Sequence, residues 1–436
     1  MSTISPMTTT PTPHVGDKIQ HSSQYGRLEA GEHIGLSRES LSDSDRQVRD
    51  WFVQEAEGLG CHVKVDAMGN IFAILAGENN SIPPIGMGSH LDSQPAGGRF
   101  DGILGVIAAL EVLRTIKTHG IKTYAPIAAI DWTNEEGSRF PKMCAGSGVW
   151  SGSESLSECH NLEAIEPPAE GESPLTMGTE LRRIGYLGQT PSSYVENPLS
   201  AHIELHIEQG SLLEKAEKKV GVVRGVQGMR WYTIHCHGRE AHAGATPMSE
   251  RADALVVLAK FAVKVEELSI RDGAFGTVGV MRTKTNSTNT VPGGAFCTLD
   301  LRHPSEEVLG RIETELRHYL EDLSTHRSGI TVSMERTWSK RSVQFDQVAR
   351  ACVKAAAVEN AGETMTMDMV SYAGHDSAET ATVVPTAMIF VPSKGGVSHN
   401  PAEYTSGEEC DLGAKVLLDA VLKYDQHLRK TAAASL

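Results

Sequence analysis

The chain has 436 residues, 40% of them hydrophobic and 22% charged, with a formal net charge of −15. That length exceeds what one hydrophobic core usually fills, so two domains are the default, and the acidic balance argues against a nucleic-acid or anionic-membrane binder. No apolar run approaches bilayer length, and the seven scattered cysteines form no CxxC pair, which argues against a disulfide framework or a thiolate metal site.

The start, "MSTISPMTTTPTPHVGD", lacks both the apolar core and the positive charge of a targeting segment. Residues 1–25 read as a disordered tail on a cytoplasmic protein. "SDSDRQVRDWFVQEAEGLG" predicts a capped amphipathic helix closed by Gly60. "CHVKVDAMGNIFAILAG" predicts two strands about a turn, and "IGMGSH" a short apolar strand ending at His90. "DGILGVIAALEVLRTIKTHG" is a strongly apolar helix with Gly120 as its stop. "APIAAIDW" is a buried-strand pattern that delivers the chain to Asn134, Glu135 and Glu136. Strands alternating with helices predict an α/β domain, whose reactive groups gather beyond the carboxyl ends of the strands.

Residues 152–197, rich in Pro, Ser, Glu and Gly, read as loops and short helices. Then comes a separate rhythm: strand "RWYTIHCHG", helix "TPMSERADALVVLAKFAVKVEEL", strands "FGTVGVM" and "GAFCTLDLRH", helix "SEEVLGRIETELRHYLEDL" and strand "GITVSMER". That order is a compact α+β unit of ferredoxin-like type. Helix, the strand "TAMIFVPS" and a terminal helix near 408–428 complete the chain. The predicted organisation is a catalytic domain over 26–222 and 337–436, interrupted by an inserted domain at 223–336.

Five groups of oxygen and nitrogen donors fall at strand ends or in loops: His90 with Asp92; Asp101; Glu135 with Glu136; Glu204, His206 and Glu208; and His399 with Glu403. Imidazole and carboxylate together suit zinc, manganese, nickel or cobalt, and a shared carboxylate would make a two-metal site. Singly, each has a plainer reading. His206 on an apolar strand is usually a hydrogen-bonded core histidine, a pair of glutamates is usually a solvated loop, and Asp101 before Gly102 could simply cap a helix.

The motifs "GSHLDSQPAGGRFDGILGVIAALEVLR", "NEEGSRF", "ELHIEQG", "GREAHAGATPM", "STNTVPG", "LDLRHPS" and "AGHDS…PTAMIFVPSKGGVSHNPAEYTS" lift the reading as an ordered set. Over about residues 26–426 the chain resembles the amidase, hydantoinase and carbamoylase family, a branch of the two-metal aminoacylase-like hydrolases. It is most similar there to fungal-type β-ureidopropionases and bacterial N-carbamoyl-L-amino-acid hydrolases. The resemblance implies an aminopeptidase-like catalytic domain with an inserted lid and dimerisation domain, and two divalent ions per subunit, zinc favoured. It places His90, Asp101 and His206 on one ion, and Asp101, Glu136 and His399 on the other.

By the same resemblance Glu135 is the general acid/base, and Asp92 accepts from the ring of His90 and fixes its tautomer. His242 is catalytic and substrate-binding; Gln209, Asn289, Arg302, Gly374 and His375 are substrate contacts. The implied reaction is hydrolysis of an N-carbamoyl acid, N-carbamoyl-β-alanine first, N-carbamoyl-L-α-amino acids second, then allantoate or acyl amino acids. Tyr372 stands where relatives commonly carry glycine, which puts the substrate side chain in question. The implied partners are a small ureido acid and a second copy of the chain, with no nucleic acid and no membrane. A non-catalytic binding protein would lack a ligand or the base, and here all are present.

Overall fold

Four short segments dictate the architecture: Ile85–Ser89, Ile127–Asp131, Ala201–Ile207 and Thr386–Val391 are buried at every residue. Strands buried on both faces belong in the middle of a parallel sheet covered by helices. The computed structural model, which describes residues 10–168, 171 and 173–434, shows them so. Thr386–Val391 pairs in parallel with Ala201–Ile207, which pairs in parallel with Ile85–Ser89, which pairs in parallel with Ile127–Asp131. Antiparallel strands Ile71–Leu75 and His62–Val65 extend one side, and Val220–Val226 the other. Because the four central strands run the same way, their carboxyl ends lie along one edge.

Helix Ile103–Thr118 is buried along most of its length and packs on this sheet, joined there by the 28-residue terminal helix Gly407–Ala434. Truncating a fully buried leucine such as Leu104 in this layer would cost about 2–5 kcal/mol. Ser42 caps helix Asp43–Gly58 by accepting from Asp45 N–H, as the polar start of that segment predicts.

The chain divides into two compact units, one made of residues up to Gly225 together with those from Gln344 onward, the other Val226–Val343. The second begins three residues later and ends seven later than the predicted 223–336. Its antiparallel sheet runs Phe275–Thr277, Gly294–His303, Gly228–His237, Thr331–Lys340, with helices Ala254–Asp272 and Glu306–Thr325. Alternate residues of the strands (Tyr232, Ile234, Cys236, Cys297, Leu299, Leu301) pack with Phe261, Leu268, Ile312 and Leu316 of the helices as a separate core.

Three expectations need correction. Residues 1–9 of the expected disordered tail lie outside the described residues, but the rest of it is ordered. Helix Gly16–Ser22 buries Ile19, and Val15 before it is also buried, its N–H donating to Asp411 at 2.9 Å. Two apolar residues four apart suffice to dock a single turn against the larger core. "FGTVGVM" is two strands, Phe275–Thr277 and Met281–Thr283. The hydroxyl of Thr298 accepts from Val280 N–H at 3.2 Å and so takes an amide that would otherwise join the ladder. The long helix expected from Thr246 starts at Ala254, where Asp253 accepts from Val256 N–H; Pro247 opens a 3₁₀ turn instead. Among the described residues no helix is long and apolar enough to cross a membrane, and none of the seven cysteines forms a disulfide.

Candidate metal centre and active site

Each central strand delivers one donor to the shared edge. His90 follows Ile85–Ser89, Glu135 and Glu136 follow Ile127–Asp131, His206 is the penultimate residue of Ala201–Ile207, and His399 lies in the loop after Thr386–Val391. Asp101 comes from the loop that turns into helix Ile103–Thr118. That turn needs Gly102, whose φ is +71°, because an added β-carbon would lie 2.2 Å from His90 Nε2.

Among the described residues three donor groups have their ligand atoms within 4.8 Å of one another: two share Asp101 (His90, Asp101 and His206; Asp101, Glu136 and His399), and the third is Glu204, His206 and His375. Asp101 Oδ1 is 3.2 Å from His206 Nε2, while Oδ2 is 3.3 Å from His399 Nε2. Glu136 Oε2 lies 3.4 Å from the same His399 nitrogen. One carboxylate thus turns an oxygen to each of the two groups that share it, the arrangement a bridging ligand requires.

Ring orientation agrees with this. His90 Nδ1–H donates to the carbonyl of Asp92 and His206 Nδ1–H to that of Ile207, both at 2.9 Å. A carbonyl only accepts, so each ring, when neutral, keeps its proton on Nδ1 and leaves Nε2 unprotonated; in His206 that nitrogen accepts from Gly102 N–H at 3.1 Å. A neutral imidazole aimed by a backbone carbonyl is how metal-binding histidines are commonly held. The residues therefore fit a pair of divalent cations.

The electrostatics also fit. Burial alone would raise Asp101, but hydrogen bonds with His206 and His399 hold its carboxyl well below the usual range. Burial pushes His90 down to about 4. For His206 the bond and charge of Asp101 outweigh burial, and the ring rises to about 9; His399, bonded to the same carboxylate, also rises to about 9. In the protein alone, protons sit where cations of higher charge would be favoured.

The adjacent glutamates have different partners. Glu136 accepts from Gln94 N–H at 3.1 Å and from Gln94 Nε2–H at 2.8 Å. Glu135 belongs to none of the three donor groups; its Oε2 is 3.6 Å from His90 Nε2 and its Oε1 is 3.4 Å from Cys144 Sγ. Burial, then the charges of Asp376 and Glu136, lift its carboxyl well above the ordinary value. A carboxyl raised in this way is suited to take up and release a proton.

Asp92 departs from its expected role. Its backbone carbonyl, not its carboxylate, takes the His90 proton, and the carboxylate oxygen is 3.8 Å from that ring nitrogen. The chain turns back two residues after His90 and brings the nearer acceptor, the carbonyl, into line. The carboxylate instead accepts from the N–H groups of Glu135 and Glu136, both at 3.3 Å. Three other acids of the donor-rich motifs have structural partners. Glu208 accepts from Leu212 and Leu213 N–H, Glu403 from Phe100 and Asp101 N–H, and Glu204 from the hydroxyls of Ser89 and Ser377.

Gln209 Nε2–H donates to Asp101 Oδ2 at 3.0 Å, so it stands at the shared carboxylate. His375 is buried with its ring edge-on to His206, centroids 4.5 Å apart, and follows Gly374. Tyr372 is 43% exposed. His242, Asn289 and Arg302 belong to the second unit. There His242 Nδ1 accepts from Gly244 and Ala245 N–H, both at 3.1 Å, which puts the proton of a neutral ring on Nε2. Asn289 accepts from Ser287 at 2.7 Å, and Arg302 pairs with Asp300 on its own strand at 2.7 Å.

The model of peptidase family M20/M25/M40 matches residues 86–423. An N-carbamoyl-L-amino-acid amidohydrolase of Rhizobium meliloti is 40% identical over 93% of this chain and 95% of its own length. One from Geobacillus stearothermophilus is 33% identical over 94% and 97%. A crystal structure of a hydantoinase/carbamoylase family amidase from Burkholderia multivorans superimposes with a TM-score of 0.84 at 40% identity, covering 94% of this chain and 98% of that one.

The chain belongs to the M20/M25/M40 family.

In this M20-family chain, sequence reasoning missed three side chains that the fold brings to the centre. Ser398 donates to Asp101 Oδ2 at 2.7 Å, Ser147 bonds Asp376 at 2.5 Å, and Cys144 meets Glu135. Only Ser398 carried a local signal, its place beside His399.

Proposed function

We propose that this chain is a two-metal amidohydrolase that cleaves the carbamoyl C–N bond of an N-carbamoyl-L-α-amino acid, releasing the amino acid, ammonia and carbon dioxide. One observation carries the reading: two donor groups share Asp101, with an unligated, buried carboxyl, Glu135, beside them. His90, Asp101 and His206 would hold one ion, and Asp101, Glu136 and His399 the other. Such a pair supplies an activated water and a Lewis acid for a weakly electrophilic ureido carbon.

The chain's own residues do the rest. Glu135 accepts the proton of the attacking water and returns it to the departing nitrogen. His242, whose neutral ring carries its proton on Nε2, is a donor of the kind that stabilises an oxyanion. Arg302, paired with Asp300 on its own strand, carries the planar fork that suits a carboxylate. Two of the amidohydrolases that match almost end to end are named for N-carbamoyl-L-amino acids, which moves the α-amino acid ahead of N-carbamoyl-β-alanine.

The test is a panel assayed with zinc, manganese, nickel or cobalt added: N-carbamoyl-L-α-amino acids, N-carbamoyl-β-alanine, allantoate and N-acyl amino acids. The expected result is the highest kcat/KM on the first class. Turnover of acyl substrates alone would refute the carbamoylase reading, and preference for the β-amino acid would restore the substrate that the sequence placed first.

A further inference from the structure

The loop that carries Glu135 closes on itself in a way the acid–base role alone does not account for. Residues 144–146 run back along 133–135: Cys144 N–H donates to the Glu135 carbonyl at 2.9 Å, Ala145 N–H to Asn134 at 3.2 Å, and Gly146 N–H to Thr133 at 2.9 Å. Asn134 Nδ2–H ties the loop between them by donating to the carbonyls of Phe140 and Lys142, at 3.3 and 2.7 Å. Both ends of the turn are left-handed without being glycine: φ is 58° at Asn134 and 52° at Cys144. Strain of that kind persists where surrounding structure enforces it, and it clusters at functional sites. Glycine would adopt this backbone more easily at Cys144, but it would bring no thiol. The enforced backbone sends Cys144 Sγ to 3.4 Å from Glu135 Oε1, while Oε2 faces His90 Nε2 at 3.6 Å. Cys144 is 1% exposed, so water does not compete for the contact.

We infer that Cys144 is a positioning residue for Glu135: its S–H donates to Oε1 and leaves Oε2 as the oxygen that carries the proton. A carboxyl with equivalent oxygens can rotate and offer either one; a donor fixed on one side removes that freedom. The inference rests on Glu135 as the acid–base group of the proposed reaction.

The test compares C144S, C144A and C144G with wild type, on whichever ureido or acyl substrate wild type cleaves, with metal content and Tm recorded. Loss of one weak donor predicts a kcat lower by roughly 5–20-fold in C144A with KM unchanged. C144S, which keeps a donor, recovers to within about threefold of wild type. C144G is relieved of backbone strain, yet its kcat falls with that of C144A; it also replaces C144A should that variant fail to fold. Wild-type kcat in C144A or C144G, or a serine variant no better than alanine, overturns the inference. An infrared measurement needs no turnover. The S–H stretching band of Cys144, assigned by difference against C144A, moves to higher frequency in E135Q; a band that stays put overturns the inference. An enzyme inactive on ureido acids refutes the proposed reaction and leaves the infrared result to decide the role of Cys144.

Discussion

Gln94 holds Glu136 twice, through its backbone N–H at 3.1 Å and its side-chain amide at 2.8 Å. Both oxygens of the carboxylate are thereby fixed in direction before any cation arrives, and Oε2 is left facing His399. Removing the side-chain bond in Q94A keeps the backbone one. A hydrogen bond to a charged group is worth about 1.5–3 kcal/mol, so Q94A should weaken cation binding at Asp101, Glu136 and His399 by roughly 10–100-fold. Metal titration followed by calorimetry reads this directly; unchanged affinity would mean that Gln94 only fills space.

Glu135 and Glu136 should separate cleanly by mutation. E135Q removes the proton-moving group and leaves both donor groups intact, so kcat should fall by about 10²–10⁴-fold with two ions still bound. E136Q should instead lose metal. Elemental analysis beside single-substrate kinetics distinguishes the two, and retained turnover in E135Q would end the assignment.

Chelation should proceed in two steps. The side chains of His90, Asp101 and His206 are 2%, 5% and 1% exposed, whereas that of His399 is 49% exposed. An ion held partly by an accessible side chain leaves first. Rapid dialysis against a chelator, with samples taken for metal analysis, should show one equivalent lost well before the second; a single phase would mean that both groups open together.

The second unit carries its own acid-sensitive element. Glu313 accepts from Tyr232 at 2.7 Å, Arg230 at 2.9 Å and Arg317 at 2.8 Å, and also pairs with Arg336. Burial opposes the charge, but these donors prevail and hold the carboxyl down at about 2. A folded pKa below the unfolded value, about 4.3, gives stability that is complete above that value and is lost as pH falls towards 2. E313Q should therefore lower Tm at pH 7, and its deficit should shrink as pH falls below about 4.3. A pH-independent deficit in thermal melts would contradict the electrostatic account.

Much of this was open to a reader of the sequence because it depends on local patterns. The short apolar runs that become three of the central strands, the donors within or after the central strands, and Gly102 before the buried helix are visible as letters. What depends on partners distant in sequence was not. Whether the carbonyl or the carboxylate of Asp92 meets His90 is decided by how the chain turns after Leu91. The split in "FGTVGVM" is set by a threonine from another strand, and the docking of Val15 and Ile19 by a core built hundreds of residues later. Cys144 gave no signal at all, since nothing in "KMCAGS" says which way a left-handed residue points its side chain.

The shared edge of the sheet also imposes a timetable on biosynthesis. His90, Asp101 and His206 all precede the second unit in the chain, whereas His399 follows it. A ribosome therefore releases every member of one donor group before it has begun the strand that precedes the last member of the other. A chain cut short within its final quarter can therefore contain one complete donor triad and only part of its neighbour.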